Sequence, residues 1–173
     1  MENMQSVFLQ GTKLLKISTS DVFAALHNEK RLEILIPGCR YIEKTEYKKT
    51  VSEILVNLDN RECIFLSEHC SSYVEPNSRI MASLSGNGGP AGTFKANLDM
   101  TIKSKGNTTS FSYTVNATFY WKSIVFKKST VEGTVIQLID SFLDNLQQQY
   151  PQNSENPFDP LLAIKKIINR FCK

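Results

Sequence analysis

The chain predicts an α+β fold in which a curved antiparallel sheet closes around one long C-terminal helix. Two observations carry this. First, the runs 94–103 and 110–121 alternate apolar and polar residues without a break, the mark of two strands with one wet face. Second, the period then changes from 2 to 3.6: Val131, Val135, Leu138, Ile139, Phe142, Leu143 and Leu146 make one apolar stripe along a single helix face. A sheet with one apolar face needs a cover, and only that helix is long enough to supply it.

Residues 6–17 form the opening strand, and Ser18 to Ser20 the turn out of it. Ser20 or Asp21 is placed to cap a short helix over 21–28, with Val22, Phe23 and Leu26 on one side. A second short helix over 30–36 stops at Pro37-Gly38. Two long strands follow, Arg40 to Leu58 and Arg61 to Val74, joined near Asp59-Asn60. After Pro76-Asn77 comes a strand from Arg79 to Ser85, then a glycine-rich stretch from Gly86 to Gly92.

In the next strand Phe94, Ala96, Leu98, Met100 and Ile102 alternate with polar residues, and Gly106-Asn107 turns the chain. Phe111, Tyr113, Val115, Ala117, Phe119 and Trp121 alternate in the strand after it. The long helix starts near Ser123 or Thr130 and runs to about Gln149. The domain is therefore expected over 1–150, a polar, proline-containing linker over 151–160, and a separate tail over 161–173.

At 173 residues, 41% hydrophobic and 21% charged, the chain has the composition of a soluble globular domain. No apolar run approaches the roughly 20 residues that a transmembrane helix needs. The first ten residues lack a basic and apolar leader, so a cytoplasmic location is expected. Cys39, Cys63, Cys70 and Cys172 contain no C-x-x-C pair, which argues against a zinc site.

The net charge of +3 is unevenly placed. Lys165, Lys166, Arg170 and Lys173 stand in a tail without acids, leaving 16 basic against 17 acidic residues in 1–160. A neutral body argues against a nucleic-acid surface on the domain. In the tail, Asp159 can cap and Pro160 can open a helix. Leu161, Ile164, Ile167, Ile168, Phe171 and Cys172 would then share one face, with the basic residues outside it. Such a helix suits an anionic membrane interface, and equally a protein partner or its own domain.

Several motifs follow one another in a specific order. Ile36-Pro37-Gly38-Cys39 precedes Ile42-Glu43-Lys44; then come Pro76-Asn77-Ser78, Gly86-x-Gly-Gly-x-x-Gly92 and Thr108-Thr109-x-Phe-x-Tyr113. From about Phe8 to Tyr150 the chain thereby resembles the CoxG family of carbon monoxide dehydrogenase subunits, in the Bet v 1/START-like (helix-grip, SRPBCC) superfamily. The resemblance implies a non-catalytic accessory without a cofactor. It also implies an apolar cavity for a lipid or quinone, and a molybdenum hydroxylase partner tethered to the cytoplasmic membrane. One departure concerns the cavity mouth: where the family has glycines before the long helix, this chain has Phe119-Tyr120-Trp121.

For the cavity, the inward set is Phe94, Leu98, Met100, Phe111, Tyr113, Val115, Phe119 and Trp121 from the sheet, with Val135, Leu138, Ile139 and Phe142 from the helix. Each of these also suits a plain core. Tyr113 and Trp121 add a hydrogen-bond donor to an apolar body, which would orient a ligand's polar end. In the tail, Leu161, Ile164, Ile168 and Phe171 would enter the membrane surface, with Lys165, Lys166 and Arg170 facing headgroups. His27 and His69 are the only histidines, and neither has a nucleophile or metal-ligand neighbour in sequence. The run Gly86–Gly92 joins two strands and opens no helix, so it is a wide hairpin and not a phosphate cradle. An enzyme acting on an apolar substrate, or a ligand-free interaction module, remain the alternatives.

Overall fold

A computed structural model describes residues 3–45 and 49–150. Seven strands build one curved antiparallel sheet: β1 Asn3–Leu15, β2 Cys39–Lys44, β3 Thr50–Leu58, β4 Arg61–Glu75, β5 Arg79–Asn87, β6 Gly92–Lys105 and β7 Thr108–Trp121. Two short helices, α1 Thr19–Leu26 and α2 Glu29–Leu35, stand between β1 and β2, and the long helix α3 Lys128–Gln149 follows β7. The strand order is β1-β7-β6-β5-β4-β3-β2. Strands β2 to β7 are therefore a run of hairpins, and β1 adds to the far edge beside β7. The linker and tail expected at 151–173 lie outside the described residues.

The turns use the residues that their backbone angles demand. Asp59 and Asn60 both take positive φ, as a two-residue hairpin requires. Asn77 and Gly106 do the same in the β4–β5 and β6–β7 turns. Helix α2 stops at Leu35 with the extended Ile36 as its cap, immediately before Pro37, and Gly38, at φ 73°, turns the chain into β2. The stretch Gly86–Gly92 is a wide hairpin holding one 3-10 turn, Gly89–Ala91.

Two expectations need correction. The span Arg40 to Leu58 is a hairpin and not one strand: Lys44 pairs with Thr50, and the Thr45 N–H donates to the Lys49 carbonyl at 2.7 Å. That reversal uses no glycine, proline or asparagine, so no turn signal marked it. The cap of α1 is Ser18, two residues earlier than expected; its hydroxyl accepts the Asp21 N–H at 3.1 Å and donates to the Asp21 carboxylate at 2.7 Å. Ser18 has the extended backbone that a cap needs, whereas Ser20 and Asp21 are already helical.

Helix α3 meets the sheet through a core near each end and, between them, a small cluster of Ala96, Val115 and Ala117 on which Ile139 packs. Near its C-terminal end Leu143 and Leu146 pack with Leu15, Ile17, Val22, Ala25, Leu35, Ile102 and Phe111. Near its start Val131 packs with Val7, Leu58, Cys63, Phe65, Trp121 and Phe126. Polar ties hold the frame. Lys13 on β1 pairs with Asp144 on α3 at 2.6 Å, and the Asn145 amide donates to the Leu35 carbonyl at 3.0 Å. The buried Thr109 hydroxyl donates to the Ile17 carbonyl at 2.6 Å. Among the described residues no helix is long and apolar enough to cross a membrane.

Candidate ligand-binding site

Strand register assigns each side chain to a face, because neighbours alternate and paired residues share a side. Three rows cross the middle of the face that α3 covers. One runs Ala82, Leu98, Val115, Leu9; the next Thr50, His69, Leu84, Ala96, Ala117, Val7; the third Ser52, Ser67, Gly86, Phe94, Phe119, Gln5. Between the two cores at the ends of α3, this surface is only partly covered. Leu9, Leu84, Phe94, Leu98, Met100, Tyr113 and Phe119 on the sheet remain half-buried, as do Val135, Leu138, Ile139 and Phe142 on the helix. The floor between them is made of small residues: Ala82, Ala96, Ala117 and Gly86 are all buried. Small residues under half-covered large ones are what an apolar recess needs.

The expected site residues divide accordingly. Phe94, Leu98, Tyr113 and Phe119 pack, with Ile139, against the small cluster of Ala96, Val115 and Ala117, and Met100, Tyr113, Ile139 and Phe142 flank the core at the C-terminal end of α3. Val115 is a buried part of the recess floor. Phe111 is buried in the core at the C-terminal end of α3, and Trp121 in the one at its start. Aromatic rings continue from Phe65 through Phe94, Phe119 and Trp121 to Phe126, with centroids 4.9 to 5.8 Å apart. They fill the end beneath Val131. Tyr120 points to the opposite face, so the sequence Phe119-Tyr120-Trp121 contributes only two rings to this side.

Two glycines make room for aromatic rings. The Phe94 ring lies over Gly86, and the Tyr113 ring lies over Gly11, where any Cβ would collide. Tyr113 thus reaches toward β1. Burial, with the nearby Asp140 carboxylate, pushes its phenol above the usual value, and Lys13 opposes this. The Trp121 Nε1 is buried without a protein partner.

The β3–β4 quarter of the same face is different in kind. Thr50 stands opposite His69, and Ser52 opposite Ser67. Thr50, Ser52 and Ser67 are buried, and the Ser67 Oγ has no hydrogen-bond partner in the protein. Burial holds the His69 imidazole below its ordinary pKa, opposed by the Glu29 carboxylate at the start of α2. A nucleophile–base pair would need a direct hydrogen bond. Among the described residues none joins His69 to a hydroxyl, and Ser67 and His69 lie two residues apart on one strand. His27 instead bonds the Phe23 carbonyl at 2.8 Å and rests on the Phe23 ring, closing α1. Among the described residues no three His, Cys, Asp or Glu come together to hold a metal.

His69 has a measurable consequence. Its folded pKa lies below the unfolded value near about 6.5, so the unfolded chain takes the proton first as pH falls. Its contribution to stability is complete above that value and declines below it. The urea midpoint is expected to drop between about pH 7.5 and about pH 5.5, and to drop less in His69→Gln. The Arg79-bound Asp99 carboxyl, held low, changes only in more acid solution. Equal losses in both chains would remove the imidazole as the cause.

A concavity of about 420 Å³ is lined by Glu68, Cys70, Ser83, Ser85, Lys95, Asn97, Asn116, Thr118 and Tyr120 of the opposite face, with Leu84 and Ala96 between them. Its amides and hydroxyls face water directly, so an apolar molecule would gain little there. The residues expected to line an apolar cavity stand instead on the α3 side.

A curved antiparallel sheet gripping a C-terminal helix, with two short helices after the first strand, is the helix-grip fold of Bet v 1 and START proteins. The chain belongs to the CoxG family of carbon monoxide dehydrogenase subunits, which matches residues 11–150. Solved structures agree on the fold. A conserved protein from Geobacillus kaustophilus superposes with a TM-score of 0.76 at 19% identity, over 83% of this chain and 94% of its own. Ara h 8.0201 gives 0.60 at 15% identity, over 84% of this chain and 97% of its own. A START superfamily protein from Mycobacterium smegmatis gives 0.59 at 11% identity, over 82% and 95%. No curated protein matches the chain.

Proposed function

We propose that the protein is a non-catalytic accessory that takes up an apolar small molecule, a lipid or a quinone, between α3 and the sheet. In this reading it also holds a molybdenum-hydroxylase-type enzyme at the inner membrane surface through its tail. The observation that supports uptake is the half-covered apolar middle of the α3 face, lying between two fully buried ends. Covering roughly 300 Å² of apolar surface there would contribute about 7 kcal/mol, at about 25 cal/mol per Å². The family's own description, as subunits of carbon monoxide dehydrogenase, supports an enzyme partner. The basic and apolar composition of 161–173 supports the membrane contact.

One assay separates the parts. The full chain is mixed with phosphatidylcholine–phosphatidylglycerol vesicles loaded with a long-chain quinone, and the vesicles are sedimented. The wild-type chain is expected to sediment with the vesicles at low salt and, once released by high salt, to carry quinone into the supernatant. Ile139→Glu places a charge against the recess and is expected to lower uptake at least about tenfold while leaving sedimentation intact. Ile164→Glu with Phe171→Glu is expected to abolish sedimentation. Unchanged uptake in the first variant would sink the recess, and unchanged sedimentation in the second would sink the tail.

A further inference from the structure

Within the recess just proposed, the hydrogen-bonding quarter has a specific use. We infer that Thr50, Ser52, Ser67 and His69 form the subsite for the polar end of the bound molecule, and that it takes an uncharged oxygen group, a hydroxyl or a carbonyl. This rests on the uptake reading and names the ligand class for that site.

The placement argues for it first. The four residues make a square on adjacent strands, Thr50 opposite His69 and Ser52 opposite Ser67. The square runs without interruption into the apolar part, since His69 pairs with Leu84 and Ser67 with Gly86, over which the Phe94 ring lies. A sheet face packed under a helix is expected to be apolar. On β6 and β7 the same two rows carry only Ala96, Ala117, Phe94 and Phe119. One molecule lying across the rows would meet carbon at one end and hydrogen-bonding groups at the other.

Burial argues second. Thr50 and Ser67 are 7% exposed and Ser52 is 4% exposed. The Ser67 hydroxyl has no protein partner. A hydroxyl withdrawn from water and left unpaired is unfavourable, and an oxygen brought in by a ligand would restore the bond.

The surrounding charge decides the class. Burial lowers the pKa of the imidazole and so favours its uncharged form, against the opposing Glu29 carboxylate. Among the described residues the charges around the square are paired: Glu29 on α2 with Lys44, opposite Thr50 on β2, at 3.9 Å, and, from the alternate positions of β3 and β4, Lys49 with Glu68 at 2.7 Å and Glu53 with Arg40 at 3.2 Å. An anionic carboxylate or phosphate would enter a partly dry site with no free cation among these groups. An uncharged hydroxyl or carbonyl meets donors and acceptors without that penalty.

The test uses four twelve-carbon probes with one tail and different heads: dodecane, 1-dodecanol, 2-dodecanone and dodecyl phosphate. Each competes with N-phenyl-1-naphthylamine for the full-length chain, its Ser67→Ala variant and its Ser52→Ala variant. Ser67→Ala removes an unpaired hydroxyl, so its fold and stability should be unaffected. The expected result is a loss of about tenfold in 1-dodecanol or 2-dodecanone affinity in Ser67→Ala with dodecane unchanged, and dodecyl phosphate the weakest throughout. The Ser52→Ala variant should show the same selective loss. Equal effects on dodecane and 1-dodecanol, or tightest binding of dodecyl phosphate, would overturn the subsite while leaving the recess standing. Failure of every probe, dodecane included, would overturn the recess and the subsite together.

Discussion

Trp121→Ala is expected to lower the stability of the domain by about 3–5 kcal/mol. Trp121 is 2% exposed, stacked on Phe119 at 5.2 Å and set edge-on to Phe126 at 4.9 Å. Removing it opens a hole among Val7, Leu58, Phe65 and Val131, where sheet, connecting segment and helix meet. Against a total stability of about 5–15 kcal/mol for a domain, this is a large share. One feature reduces the cost: the buried Nε1 has no protein partner, so tryptophan carries an unpaired donor that phenylalanine would not. Trp121→Phe should therefore cost less than about 2 kcal/mol. Urea unfolding followed by circular dichroism measures both, since the chain has a single tryptophan and loses its fluorescence with it. An alanine variant within about 1 kcal/mol of wild type would mean that this end of the core can collapse.

Gly92→Ala is expected to cost about 3 kcal/mol or more, for a different reason. Gly92 opens β6 at φ 115° and ψ −155°, a conformation that is essentially reserved to glycine. A Cβ there would run into the Tyr120 carbonyl oxygen and stand 3.0 Å from the Trp121 Cα. Both obstacles are backbone, so relief would require parting β6 from β7 at the Gly92–Trp121 pair. Gly89 is the control. It too has positive φ, at 60°, but nothing stands within 4 Å of a Cβ, so alanine there should cost only about 1–2 kcal/mol. Equal losses at the two positions, measured by thermal or urea unfolding, would show that the close approach at Gly92 is harmless.

The outline of this fold was legible because its signals are local. The alternation in β6 and β7 and the stripe on α3 are repeats within one element. The turns at Asp59-Asn60 and Gly106 depend on backbone angles that few residues accept. The β2–β3 reversal was missed because it has no such residue.

The candidate site was legible only on its apolar side. Phe94, Leu98, Met100, Tyr113 and Phe119 could be assigned to the α3 face because polar residues alternate with them cleanly. In β3 and β4 both faces carry apolar residues: Leu58, Cys63 and Phe65 are buried, Ile64 and Leu66 are exposed, and Ser67 is buried on the inner face. A single strand has period 2 whichever face is inside, so with apolar residues on both faces the pattern does not choose the inner side here. The small floor residues Ala82, Ala96 and Ala117 likewise give no signal of their own, since their effect is the room they leave.

By itself, then, the sequence determined the elements apart from the β2–β3 hairpin, their order, the long helix that must cover the sheet, and the family to which the chain belongs. Only the tertiary structure decided which faces of β3 and β4 turn inward. It alone decided that the apolar stripe of α3 is buried at Val131, Leu143 and Leu146 and half-covered between Val131 and Leu143. Local periodicity is set by bonds within a few residues, whereas facing and coverage are set by register between strands that are far apart in the chain.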